Sequence, residues 1–197
     1  WRTDPQGEAY VHLTVPFPEV RRRYGIAAGE RVELLLMGTV DHAGVGCRCS
    51  AHASARGIMG HLFLADAPVV LADMEAGLEH LGRGTVEHAD ALLVVVEPYF
   101  RALEAGQRIE QLARELGVPR IYIVANKIRS DAEAQAIRAF CDRHRLELLA
   151  ALPYDEAALA AEMAETTLLE MAPQGPLAHA LDDLADALLT EVGQPVV

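Results

Sequence analysis

Apolar runs that do not alternate with polar residues are the feature that most constrains how this chain can fold. Five such runs are separated by stretches with apolar residues at helical spacing, and they are RVELLLMGTV, PVVLADM, ALLVVVEP, RIYIVANK and LELLAALP. A strand that is apolar on both faces is buried on both faces. Strands of this kind that alternate with amphipathic helices are typical of a parallel sheet. The sequence therefore predicts an α/β fold, in which helices flank a mostly parallel sheet on both faces.

The periodic pattern begins near residue 31. Residues 1–30 are interrupted by prolines and glycines, and we expect them to be irregular. Residues 31–197 are predicted to form an α/β domain of the nucleotide-binding type, with a cysteine-containing loop at 44–52. The chain has 197 residues and 51% hydrophobic residues, which is enough for one sizeable core.

Polar residues follow the predicted strands at their carboxyl ends, where parallel sheets bind ligands. Asp73, Glu97 and Asn126 with Lys127 are the candidates. An acid at the position of Asp73 can hold a magnesium shell, and Gly77 would let the backbone approach a terminal phosphate. The amide of Asn126 can pair with the edge of adenine. Taken singly, these residues also fit a helix cap and a satisfied turn.

Cys47 and Cys49 in GVGCRCSAH form a CxC pair whose thiolates can share one soft metal ion. A closed tetrahedral site needs four ligands, so the pair is incomplete by itself. Either His42 and His52 complete a site within one chain, or a second copy supplies two further thiolates across a symmetric interface. Two free thiols in a loop are the remaining alternative.

Composition excludes several classes of partner. The formal net charge is −12 and Lys127 is the one lysine, so a surface that neutralises nucleic-acid phosphates is not expected. No stretch resembles a signal peptide or a membrane-spanning helix, and three cysteines do not form a disulfide framework. We therefore expect a cytoplasmic protein that binds neither nucleic acid nor membrane.

Several segments together resemble the MinD/ParA/Mrp branch of deviant P-loop ATPases. These segments are DMEAGLEHLGRGT, the strand ending VVEP, IVANKIR and ALPYDE. With the CxC loop upstream, the chain resembles the CooC-type accessory ATPases that support nickel insertion into carbon monoxide dehydrogenase. The likeness covers most of residues 34–192.

The resemblance implies a homodimer that uses ATP/ADP with Mg²⁺ and serves carbon monoxide dehydrogenase as its client enzyme. Two CxC pairs would bind one Ni²⁺ or Zn²⁺ at the dimer interface. ATP binding would close the dimer and hydrolysis would open it. Cys47 and Cys49 match the metal pair, while Asp73 and Gly77 match the residues near the transferred phosphate.

The resemblance also implies a base pocket. Asn126 would face the adenine, Pro153 with Tyr154 would flank it, and Lys127 would line the same pocket.

One family feature has no match, since the chain contains no GxxxxGK[ST] and no GK pair. In the family this phosphate loop lies at the N-terminus, so we expect the first strand, the P-loop and the first helix to be missing. ATP hydrolysis is expected of the full-length family member. The 197 residues alone should bind ATP at best with roughly millimolar affinity. The rival hypotheses are a monomeric zinc-binding module and a partition ATPase whose CxC pair is incidental.

Overall fold

A computed structural model of the chain describes residues 2–3, 9–10, 16–36, 69–74, 86 and 89–193. These residues belong to two compact units, Trp1–His88 and Ala89–Val197, and each unit is described by itself. The domain boundary predicted at residue 30 stays a prediction.

The described part of the first unit contains two short antiparallel strand pairs and a helix. The strand β1 (Arg2–Thr3) pairs with β2 (Ala9–Tyr10). The helix α1 (Phe17–Tyr24) leads into β3 (Gly25–Ala27), which pairs with β4 (Glu33–Leu35). The strand predicted over RVELLLMGTV therefore exists in part, and its described neighbour is antiparallel.

The helix α1 lies within the segment that the sequence predicts to be irregular. Pro18 falls in the first helical turn, where a missing N–H costs no helical hydrogen bond. Glu19 accepts hydrogen bonds from Arg22 at 2.7 Å and Arg23 at 2.6 Å, one turn further along the helix. The prolines that suggested irregular chain instead mark the start of a helix.

Residues 69–74 do not form the strand predicted over PVVLADM. They have no regular secondary structure, and Leu71 is 81% exposed. An apolar run becomes a strand only when a neighbouring strand accepts its hydrogen bonds. Within the described residues, none pairs with this segment.

The second unit follows the predicted order of strands and helices closely. Its elements are β5 (Leu92–Val96), α2 (Phe100–Glu115), β6 (Ile121–Ile128), α3 (Asp131–His144), β7 (Leu148–Pro153), α4 (Glu156–Met163), α5 (Leu168–Met171) and α6 (Pro176–Val192). The three strands are parallel in the order β5-β6-β7. Helices α2 and α3 connect them, as parallel neighbours require.

Helices cover both faces of this sheet. On one face α2 approaches so closely that a Cβ on Gly106 would lie 2.6 Å from the side chain of Val96. On the other face, burial first and then the charges of Glu147 and of Glu191 in α6 raise the pKa of the Tyr122 hydroxyl, so Glu191 lies near this side chain. Ile123 lies on the face covered by α2, since its Cδ1 would be 4.0 Å from the same Cβ on Gly106. Tyr122 precedes Ile123 in β6, so its side chain points to the opposite face. The predicted α/β architecture is confirmed.

The central strand β6 forms the core of the second unit. Ile123, Val124 and Ala125 are each at most 2% exposed, and Ile137 and Cys141 of α3 are buried to the same degree. Among the described residues, no helix combines the length and the apolar character needed to cross a bilayer.

Candidate functional site

A β-bulge forms the carboxyl end of β6, and Asn126 and Lys127 are the two residues in it. Ala125 pairs with Ala151 and Ile128 with Pro153, so two residues of β6 lie opposite Leu152 alone. Lys127 has a φ of 59°, in the left-handed region, which is uncommon for a residue with a side chain. The Lys127 N–H donates to Asn126 Oδ1 at 2.9 Å. Bulges of this kind redirect side chains and often lie next to functional sites.

Lys127 links the ends of two neighbouring strands. Its Nζ donates to Glu97 Oε1 at 2.8 Å, and Glu97 directly follows β5. The Glu97 carboxylate raises the pKa of the Lys127 ammonium, through the hydrogen bond first and its charge second. Both side chains are partly exposed, so the pair contributes little to stability. Its effect is to fix where one positive charge lies at the sheet edge.

Asn126 retains hydrogen-bonding capacity in this arrangement. Its Oδ1 accepts one hydrogen bond and has a second lone pair, and its Nδ2 carries two donors. A ligand edge that offers one donor and one acceptor can therefore still pair with the amide.

A cavity of about 610 Å³ opens beside the bulge, at the start of α4. Its lining residues are Ile128, Arg129, Pro153, Tyr154, Asp155, Glu156 and Pro176. The Tyr154 N–H donates to the Ile128 carbonyl at 2.8 Å, which holds the two walls together. The guanidinium carbon of Arg129 lies 3.6 Å from the centre of the Tyr154 ring. The cavity thus combines planar groups with charged ones.

Asp155 contributes a hydrogen-bond acceptor to the cavity wall. This residue was not among those predicted from the sequence motifs. Its Oδ1 caps α4 by accepting from the Ala157 N–H at 2.9 Å. Its Oδ2 is buried and makes no hydrogen bond within the described part of the chain. A Cβ on Gly175 would lie 3.3 Å from this oxygen, which places the oxygen at the N-terminus of α6. The sequence signal for it was an acid directly before a helix.

The structure brings together some of the predicted site residues. Pro153 and Tyr154 line the cavity, and Asn126 with Lys127 forms the bulge that precedes its Ile128 wall. Asp73 is exposed and lies in the first unit. Cys47, Cys49, Gly77, His42 and His52 lie outside the described residues.

No metal centre is present among the residues that the structure describes, since no three His, Cys, Asp or Glu side chains cluster suitably. Cys141 is the described cysteine, and its side chain is 1% exposed. Burial, followed by the charge of Asp142, raises the pKa of its thiol. A cysteine binds a metal ion as its thiolate, and burial disfavours the thiolate of Cys141. Cys141 is therefore a core residue and not a metal ligand.

A second groove, of about 480 Å³, lies between α2 and α3. Its walls are mostly apolar and include Tyr99, Phe100 and Phe140. It does not contain the polar groups at the strand ends. The cavity beside the bulge is therefore the candidate ligand site.

A protein-family model matches residues 84–196, more than half of the chain. Its description is 4Fe-4S iron sulfur cluster binding proteins, NifH/frxC family. The matched segment contains a single cysteine, the buried Cys141. Since a cluster of this type needs several thiolate ligands, residues 84–196 do not supply them.

Relatives that share substantial sequence identity with the chain include an accessory protein and an ATP-binding protein. The carbon monoxide dehydrogenase accessory protein CooC of Rhodospirillum rubrum is 43% identical over 163 residues, which is 82% of this chain and 60% of the relative. An uncharacterised ATP-binding protein of Methanocaldococcus jannaschii is 37% identical over 131 residues, 66% of this chain and 51% of the relative. The chain thus spans between half and two thirds of the length of these relatives. The resemblance inferred from the sequence motifs is confirmed.

The fold has a solved counterpart in the ParA family ATPase from Chlorobium tepidum. The TM-score is 0.65 at 17% sequence identity, covering 86% of this chain and 68% of that structure. A likeness at this identity concerns the fold alone.

Proposed function

This chain belongs to the NifH/frxC family, and on this premise we propose that it is an ATP-dependent maturation factor for carbon monoxide dehydrogenase. The proposed role is to deliver nickel to that client enzyme. The 43% identity to the CooC accessory protein supports the choice of client.

The observation that carries the nucleotide part of the proposal is the constellation at the carboxyl ends of β6 and β7. Asn126 presents an amide with free donor and acceptor capacity, next to a cavity walled by Pro153 and Tyr154. Ligands of parallel α/β sheets bind at this edge. An adenine base offers a flat surface together with one donor and one acceptor on its edge, so it suits these groups.

Adenine is favoured over guanine by the residues that follow Asn126. In an NKxD sequence, the carboxylate at the fourth position accepts the two N–H groups of guanine. Here that position is Arg129, whose guanidinium has donors and no acceptor. Guanine would therefore find no partner for its ring N–H and amino group at this position.

For the phosphate end of the nucleotide, we propose the roles that the resemblance of the DMEAG segment implies. Asp73 would hold Mg²⁺ through its shell of waters, and Gly77 would approach the terminal phosphate. The exposure of Asp73 is compatible with a ligand-binding role. Hydrolysis of ATP is proposed for the whole protein.

For the metal cargo, we propose that Cys47 and Cys49 of two chains supply four thiolates to one Ni²⁺ or Zn²⁺. Four thiolates complete a closed tetrahedral site without further ligands. The described residues offer no competing metal cluster. The alternatives are a zinc site within one chain that adds His42 and His52, and a partition ATPase with an incidental CxC pair.

Competition binding of ATP and GTP tests the nucleotide part. We expect the chain to prefer ATP, and we expect Asn126→Ala to weaken ATP binding about tenfold, because two hydrogen bonds to the base would be lost. Gln135→Ala removes an exposed amide from α3 and is the matched control. Saturation-transfer or chemical-shift NMR measures affinities in the expected millimolar range. Equal affinity for GTP, or an Asn126→Ala variant that binds ATP normally, would contradict the proposal.

A further inference from the structure

Arg129 lies at the mouth of the candidate base pocket, and the family resemblance assigns no role to it. It directly follows β6, and its N–H donates to Glu133 Oε2 at 2.7 Å. The Glu133 N–H donates in turn to Ser130 Oγ at 3.3 Å, which caps α3. The backbone of Arg129 is therefore held by the first turn of the helix, whereas its side chain is exposed.

One face of the Arg129 guanidinium rests on Tyr154. The separation of 3.6 Å between the guanidinium carbon and the ring centre is a van der Waals stacking distance. In the described part of the chain, no carboxylate forms an ion pair with this guanidinium. Because Arg129 is exposed, the face of its guanidinium that Tyr154 does not cover can contact a ligand in the cavity that both residues line.

We propose that Arg129 is a base-binding residue, whose guanidinium stacks on the nucleobase while the Tyr154 ring supports it from behind. This inference rests on the proposed nucleotide function and deepens it by naming how the base is held. A guanidinium is planar and weakly hydrated, and nucleobases stack on such planes. Tyr154 would then act through Arg129, as a positioning residue, and would not flank the base directly as the family resemblance implies.

The substitution that separates stacking from charge is Arg129→Lys. Lysine keeps the positive charge and loses the plane, so a stacked ligand is affected and a ligand held by charge alone is not. Arg138→Lys makes the same exchange at an exposed position on α3 and serves as the control. Both substitutions alter exposed side chains, and an unchanged midpoint of thermal unfolding verifies that the fold is retained.

The experiment is an NMR titration of the chain with ATP and, separately, with inorganic tripolyphosphate, which has no base. We expect Arg129→Lys to weaken ATP binding about two- to fivefold, the range for an exposed stacked cation. Tripolyphosphate binding should be unchanged, and Arg138→Lys should behave as wild type with both ligands.

Each other outcome overturns the inference in a recognisable way. Equal ATP affinity in wild type and Arg129→Lys excludes a stacking role and leaves the nucleotide function standing. An equal loss for ATP and tripolyphosphate assigns Arg129 to phosphate charge instead. A wild-type chain that binds no ATP contradicts the proposed function, and this inference with it.

Discussion

In the second unit, some side chains lie where they can bind a ligand, and others only fill the core. Cys141 and Lys127 illustrate the two cases. Cys141 is 1% exposed and its pKa is raised by burial, so its neutral thiol is favoured in the folded state. Lys127 accepts a left-handed backbone conformation, which costs of order 1 kcal/mol for a residue with a side chain. Its ammonium is thereby placed beside Glu97 at the sheet edge.

Cys141 should resist thiol reagents until the protein unfolds. In a Cys47→Ser, Cys49→Ser variant it is the only thiol, and Ellman's reagent should leave it unmodified in the native state at pH 8. Because its folded pKa is raised, its contribution to stability is present below the unfolded pKa and is lost as the pH rises through the folded pKa. Full reaction in denaturant is the positive control, and rapid reaction of the native variant would contradict the assigned burial.

At the scale of elements, the strands and helices of the second unit were predictable because their apolar period is strong and uninterrupted. The bulge at Asn126 and Lys127 was not predictable, because the sequence NK at a strand end is compatible with a regular strand. The stacking of Arg129 on Tyr154 joins two segments that only the β6–β7 pairing brings together. Within the second unit, sequence reasoning located the strand ends and missed the contacts between them, whereas the strand predicted to end at Asp73 in the first unit is absent from the described residues 69–74.

The packing of α2 on the sheet depends on Gly106, which has no side chain. Glycine normally weakens a helix by about 1 kcal/mol relative to alanine, so its presence here needs a reason. The reason is steric, because a Cβ would lie 2.6 Å from Val96 Cγ1 and 3.7 Å from Val94 Cγ1.

Gly106→Ala should therefore lower the free energy of unfolding, by about 1–2 kcal/mol after the gain in helix propensity is subtracted. Urea denaturation followed by circular dichroism measures this change. Ala105→Gly, at an exposed position of the same helix, calibrates the propensity effect. Adding Val96→Ala should restore part of the loss, and a Gly106→Ala variant that is more stable than wild type would show that α2 does not pack as described.

For the whole molecule, charge distinguishes the rival functions. The chain carries 29 acidic against 17 basic residues, and no lysine or arginine follows Arg145. The excess of acidic residues disfavours binding to nucleic acid. Partition ATPases are expected to contact nucleic acid through basic groups. The net charge therefore counts against the partition-ATPase alternative.

The proposed delivery of metal depends on two chains sharing one metal ion through Cys47 and Cys49. Native mass spectrometry tests it directly, because one spectrum gives the oligomeric state and the mass of the bound metal. We expect one nickel or zinc ion per dimer, which is lost in the Cys47→Ser, Cys49→Ser variant and kept in His42→Ala and His52→Ala. One ion per monomer that survives the double serine substitution, or a bound mass equal to an iron–sulfur cluster, would contradict it.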